Sequence, residues 1–234
     1  MGTDNFNKRR SNERRERRSK ELLLRAESWL IVCEGEITEP KYLNELFDYI
    51  NSKFDIKISA KIEGTGMNTT SLVKSVDEFF AYSDQQVKNR KIPYGKVFTV
   101  FDKDDFSAND FNTAIKMSQQ KGYIPLWSNE CIEVWFILHY EYLQSSLPRK
   151  DYFKKLSIYM GSSYDKNGDN FNKLGKLTKL EKAIRYSKKL EGNYFNESTP
   201  SSKNPCTTMY KLFYEIADYY GMTIEEFIKK VNED

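Results

Sequence analysis

The sequence predicts an α/β protein: a mainly parallel sheet flanked by helices, with a helical C-terminal extension. Two observations predict it. Trp29-Leu30-Ile31-Val32-Cys33 and Val97-Phe98-Thr99-Val100-Phe101 are short β-branched and aromatic runs with no polar alternation, the pattern of strands buried on both faces. Around them, strand-like and helix-like stretches alternate as β-α-β-α-β-α-β-α, the order that lays helices over a parallel or mixed sheet.

After the strand at 29–33, a helix runs from about 39 to 51, with Thr38 placed to cap it and Glu39-Pro40 in its first turn. Phe54, Ile56 and Ile58 alternate with polar residues over 54–62, which predicts a second strand nearer an edge. Gly64-Thr65-Gly66 breaks the chain before Thr69-Thr70-Ser71, from which a helix extends to Val87. The strand at 97–101 follows, then a helix from Asn109 to Lys121, a strand from Tyr123 to Trp127 and a largely buried helix from Ile132 to Tyr140. Beyond Leu147 the texture changes. Residues 161–173 and 191–205 are polar and rich in turn formers, a Lys/Leu-rich helix spans 174–190, and an amphipathic segment carries Met209, Leu212, Phe213, Ile216 and Tyr220. The predicted division is a basic arm at 1–28, an α/β domain at 29–146, and a mostly helical region at 147–234 packing on or beside it.

A hydrophobic content of 39% with 15% aromatics supports a real core. No apolar stretch approaches the roughly 20 residues of a membrane span, and no signal-peptide core follows the basic start. Cys33, Cys131 and Cys206 with a single histidine form neither a disulfide framework nor a zinc spacing, so a reducing cytoplasm is the expected compartment. Residues 1–20 carry eight basic side chains against three acids, and the rest of the chain is close to neutral. An arm with Arg14, Arg15, Arg17 and Arg18 can neutralise phosphates without reading sequence, or can be a plain solvated leader.

Both buried runs end in acids: Glu34-Gly35-Glu36 after the first, Asp102-Lys103-Asp104-Asp105 after the second. Ligands of parallel sheets sit beyond the carboxyl ends of the strands, so acids from two strands converge there and their repulsion calls for a cation. Mg²⁺, or Mn²⁺, suits all-oxygen donors in phosphate chemistry. Gly35 removes a side chain beside Glu34 and lets a phosphate or backbone come close. Glu36, Glu39 and Asp105 read as helix-capping or surface acids. Glu133 lies three residues after Glu130 on a predicted helix and is a further candidate ligand; His139 beside Trp135 reads either as a core residue or as a catalyst. The Gly64-Thr65-Gly66 turn lacks the Gly-Lys-Ser/Thr ending of a P-loop, so it predicts a capped helix more readily than a phosphate cradle.

The strand-end acids resemble the Toprim fold of topoisomerases, primases and some nucleases. More closely, the chain resembles the RloB-like family, which includes the AbiLii component of an abortive-infection system. The resemblance covers about residues 25 to 215. It rests on Leu30 through Tyr42, Val97 through Phe106, Ser128 through Tyr140, and Asn204-Pro205-Cys206-Thr207-Thr208. It implies that Glu34 is a general acid/base or metal ligand, and that Asp102 and Asp104 hold Mg²⁺. Lys103 between them departs from that pattern and either binds phosphate or weakens the metal.

No tyrosine nucleophile of topoisomerase type stands out, so the implied chemistry is simple phosphodiester hydrolysis of DNA or RNA in a prokaryotic defence context. The chain has no ATP site of its own, and an ABC-type ATPase is the implied partner; a homo-oligomer is also compatible. Two rivals stand beside this expectation. One is a non-catalytic interaction or sensor module, and the other is a phosphohydrolase of small phosphate esters.

Overall fold

The computed structural model describes residues 28–81 and 94–233. Strands β1 (Ser28–Cys33), β2 (Ser59–Gly64), β3 (Lys96–Asp102), β4 (Ile124–Asn129) and β5 (Cys206–Thr207) form one sheet in the order β2-β1-β3-β4-β5. The first four are parallel, and β5 runs antiparallel to β4. Helices α1 (Thr38–Lys53), α2 (Thr69–Ala81) and α3 (Ala108–Gln120) connect the parallel strands. Six more follow: α4 (Glu133–Leu138), α5 (Arg149–Met160), α6 (Asn170–Lys173), α7 (Leu180–Asn193), α8 (Tyr210–Tyr219) and α9 (Ile224–Asn232). The predicted alternation and the mainly parallel, helix-covered sheet are both present.

The period of two along each strand sorts the apolar side chains onto two faces. Leu30, Val32, Val97 and Phe101 pack against α2 and α3. Trp29, Ile31, Cys33, Phe98 and Val100 pack against α1, and this core continues without a break into Trp135, Phe171, Leu180, Phe213 and Phe227 of the later helices. Trp135 stacks on Phe213 of α8 with ring centroids 5.5 Å apart, and Trp29 lies 5.3 Å from Phe98. The helices beyond residue 147 therefore complete one face of the sheet. On the other face, Thr99 buries a hydroxyl and satisfies it on Ser118 of α3 at 2.9 Å.

Several predicted details shift. Thr38 is not a cap: it lies inside the first turn of α1, and Ile37 precedes it with no side-chain cap bond. The second strand starts at Ser59 rather than Phe54. Phe54 ends α1 and stacks on Tyr220 at 3.9 Å, while Ile56 is 66% exposed, so the alternation over 54–58 has no common face. β2 is an edge strand, as the alternation implied. The cap of α2 is Asn68, whose side chain accepts from the Ser71 amide at 3.0 Å; residues 82–87 of the predicted helix lie outside the described residues. The 174–190 helix begins only at Leu180, because Gly175 and Lys176 have positive φ and break the chain there. Several elements were not anticipated, α6 and α9 among them. Helix α5 buries only Tyr152 and Leu156, too narrow a stripe to signal a helix, and β5 is two residues long.

Because α8 closes the same core as the sheet, Phe213→Ala is expected to cost about 3–5 kcal/mol, with unfolding remaining a single transition. Urea denaturation followed by tryptophan fluorescence measures it; a loss below about 1 kcal/mol would show that α8 is not part of the shared core.

Candidate active site

The chain leaves β1 toward β2 on one side and β3 toward β4 on the other, so a crevice opens beyond the carboxyl ends of these two central strands. It is a cleft of about 810 Å³ whose lining includes Glu34, Glu39, Asp102 and Asp104, with Lys166 and Asn167 from the turn after α5.

Glu34 continues the β1–β3 ladder by one bond, its amide donating to the Val100 carbonyl at 2.8 Å. That bond fixes its side chain beside Asp102. Its Oε2 is buried and has no hydrogen-bond partner. Burial, then repulsion from Asp104, pushes the Glu34 carboxyl up to about 8, against a hydrogen bond from the Asp102 backbone. Asp102 ends β3 and accepts from the Ile132 amide at 3.0 Å. Full burial, with Glu39, Asp104 and Glu133 nearby, drives its carboxyl well above the ordinary range. Asp104 sits in the left-handed region at φ +38°, which aspartate tolerates better than most residues, and its amide donates to the Glu130 carbonyl at 3.0 Å. Burial raises its carboxyl too, although Arg149, which donates to Oδ1, and Lys166 both oppose the shift.

Glu133 opens α4 and is fully buried. Its Oε1 accepts from the Tyr164 hydroxyl at 2.8 Å, and its Oε2 has no partner. Glu39, in the first turn of α1, is 6% exposed, and burial followed by Glu133 lifts its carboxyl. Gly35 is what admits it: a Cβ there would stand 2.0 Å from Glu39 Oε2.

The structure thus brings together Glu34, Asp102, Asp104 and Glu133, the four acids singled out from sequence, and adds Glu39. Glu39 is a correction, since an acid in a first helical turn has an ordinary explanation and this one is buried against its neighbours instead. Glu36 and Asp105 are exposed, as expected of surface acids. Lys103 folds back onto its own turn, donating to the carbonyls of Phe106 and Asp104. The cations that bear on the acids come instead from Arg149 and Lys166, in segments whose sequence gave no sign of it. Arg14, Arg15, Arg17 and Arg18 lie outside the described residues.

His139 is a core residue, its Nδ1 3.0 Å from the Trp135 carbonyl and its ring edge-on to that tryptophan; burial lowers it to about 4 and leaves it neutral. The Gly64-Thr65-Gly66 amides are also committed, Thr65 donating to Cys33 and Gly66 to Glu34 at 3.0 and 2.9 Å, so the turn staples β2 to β1.

A hard divalent cation takes oxygen donors, and Glu34 Oε2 and Glu133 Oε2 are buried oxygens in want of a partner. The donor set therefore fits Mg²⁺ or Mn²⁺. Among the described residues, no three His, Cys, Asp or Glu side chains already stand in metal-holding geometry; Arg149 engages Asp104 and Tyr164 engages Glu133.

An open α/β sheet with carboxylates gathered at its central switch point defines a class of proteins whose chemistry is carried at strand ends. Within it, the chain belongs to the RloB-like family, whose model, described as RloB-like protein, matches residues 29–216. That stretch spans all five acids together with Arg149, Tyr164 and Lys166. No curated protein and no solved structure matches the chain. Among the described residues, no helix is long and apolar enough to cross a membrane.

Between about pH 4.5 and 8, the unfolded chain ionises Glu34 while the folded chain keeps the proton, so stability falls as pH rises through that window. Glu34→Gln removes this loss. In EDTA its Tm is expected above wild type at pH 8, by roughly 2–4 °C for each kcal/mol relieved, and level with wild type near pH 4.5. Parallel Tm profiles across this range would contradict the assigned burial and repulsion.

Proposed function

We propose that this RloB-like chain is a Toprim-like, Mg²⁺-dependent nuclease that hydrolyses phosphodiester bonds of nucleic acid in a prokaryotic anti-phage system, with an ABC-type ATPase as its partner. The observation that carries the proposal is the gathering of five carboxylates around one crevice, where among the described residues Arg149 and Lys166 are the cations that oppose their repulsion. Such an excess of buried negative charge is costly to the fold and suits a cation-dependent site. The resemblance to defence proteins supports the context, and the missing ATP motif supports a separate ATPase.

In this site Asp102, Asp104 and Glu133 would hold the cation, with Glu34 at its edge. A divalent cation held there would supply charge stabilisation at a scissile phosphate and activation of water. Glu34 sits where it can move a proton at the attacking or leaving oxygen, and burial keeps that proton available near neutral pH. Arg149, paired here with Asp104, and Lys166, which lines the same cleft, are the side chains that would meet substrate phosphate. Tyr164 holds Glu133 in one rotamer through its hydroxyl.

The test is digestion of plasmid, tRNA and single-stranded substrates with Mg²⁺, by the protein alone and with the ATPase encoded beside it. Glu34→Gln and Asp102→Asn are each expected to lower cleavage by about 10²-fold or more, and undiminished cleavage by both would overturn the proposal. A second reading, a non-catalytic interaction module, draws on the Arg149–Asp104 pair, which already occupies one would-be ligand. Calorimetry separates the two. A nuclease site gives Mg²⁺ or Mn²⁺ binding that Asp104→Asn abolishes, and a module gives no such binding.

A further inference from the structure

Away from the acid cleft, the segment from Lys173 to Lys189 holds seven basic residues against Glu181 alone. Helix α7 turns Leu180, Ala183, Ile184, Ser187 and Leu190 into the core, which leaves Lys182, Arg185, Tyr186 and Lys189 as one outward stripe. Among the described residues, none of the seven cations forms an ion pair. Six of them are held over tyrosine rings instead: Lys179 at 4.0 Å from the Tyr140 centroid, Lys189 at 4.3 Å from Tyr142, Lys176 at 5.2 Å from Tyr49, and Lys188 at 5.3 Å from Tyr214. Arg185 and Lys182 both sit over Tyr186, at 5.3 and 5.8 Å.

A ring holds an ammonium group in place without cancelling its charge, whereas a carboxylate would cancel it. The nearest acids lie to the flank: Glu181 and Glu225 line the groove between α7 and α9, beside Arg185 and Lys188. Burial, then repulsion from Lys182, lowers the Lys179 ammonium. A row of ring-held cations without ion pairs is complementary to a repeating anion, and α7 presents Lys182, Arg185 and Lys189 on one face at steps of three and four residues.

We propose that the Lys173–Lys189 strip is a binding track for the phosphate backbone of a nucleic-acid strand. The ring faces are taken by the cations, so the track grips phosphates rather than stacking bases, and it is insensitive to sequence. Binding here needs no cleavage, and the inference stands or falls independently of the acid site.

The test is fluorescence anisotropy of the full chain with a labelled single-stranded RNA in EDTA, over a range of salt. Arg185→Gln, Lys188→Gln and Lys189→Gln combined, all at exposed positions, are expected to weaken binding at least tenfold. They should also reduce the slope of log K against log salt by about 2, the value for three lost phosphate contacts on a single strand. A triple Arg/Lys exchange at the same sites is expected to restore both. Unchanged affinity and slope in the neutralised variant, with an unaltered circular dichroism spectrum, would overturn the track. So would its loss of binding being matched only by polyglutamate or by anionic lipid vesicles, with RNA unaffected. Neutralising Arg14, Arg15, Arg17 and Arg18 in a parallel protein separates the arm's contribution; if that change alone abolishes RNA binding, the track is likewise overturned.

Discussion

Mutual repulsion among five clustered carboxylates, two of them buried and three half-buried, is the constraint around which the rest of this structure is arranged. Two of them, Glu34 and Asp102, are placed by the ends of the central strands, where backbone bonds to Val100 and Ile132 leave little freedom. The other three arrive from α1, from the turn after β3 and from α4. Carboxylates brought this close in a low-dielectric setting repel strongly. The fold meets that cost partly by raising the carboxyls of Glu34, Glu39 and Asp102 and partly by bringing cations from distant segments. Arg149 and Lys166 are more than forty residues beyond the Asp102 they serve.

This arrangement explains why the later helices share the core of the sheet. Were they a loosely attached appendage, the Tyr164–Glu133 and Arg149–Asp104 contacts would depend on a mobile hinge. Instead Trp135, Phe213, Leu180 and Phe227 lock α4, α7, α8 and α9 onto the face that already holds α1. The face carrying Leu30, Val32 and Phe101 packs against α2 and α3, away from the acid cluster. A close-packed core on one side of the sheet thus sets the geometry of a polar site at its end.

The sequence made the sheet legible because parallel strands buried on both faces are continuous apolar runs, as 29–33 and 97–101 are. Glu34, Asp102 and Asp104 were legible for the same reason, since an acid directly after such a run has its position fixed by the strand. Glu133 was reachable through helix spacing and the family resemblance. Glu39 was misread because a carboxylate in a first turn has a sufficient local explanation, and only the space left by Gly35 distinguishes it. Arg149, Tyr164 and Lys166 carried no local signal; their roles come from long-range packing, which periodicity does not encode. Thr38 and the 54–58 alternation failed where local propensity met tertiary contacts, the latter to the stacking of Phe54 on Tyr220.

The two-residue strand β5 has a consequence for the order in which the molecule is made. Cys206 and Thr207 pair with Asn129 and Ser128, and the Thr208 amide donates to the Trp127 carbonyl at 2.8 Å. The edge of the sheet nearest the acid turn is therefore closed by residues synthesised nearly eighty positions after it. A chain still emerging from the ribosome carries its early carboxylates without Arg149, Lys166, Tyr164 or the strand that seals β4. Arg149, Tyr164 and Lys166 can meet the acids, and β4 can gain its edge partner, only late in synthesis, so the acid cluster is among the last features of the fold to be completed.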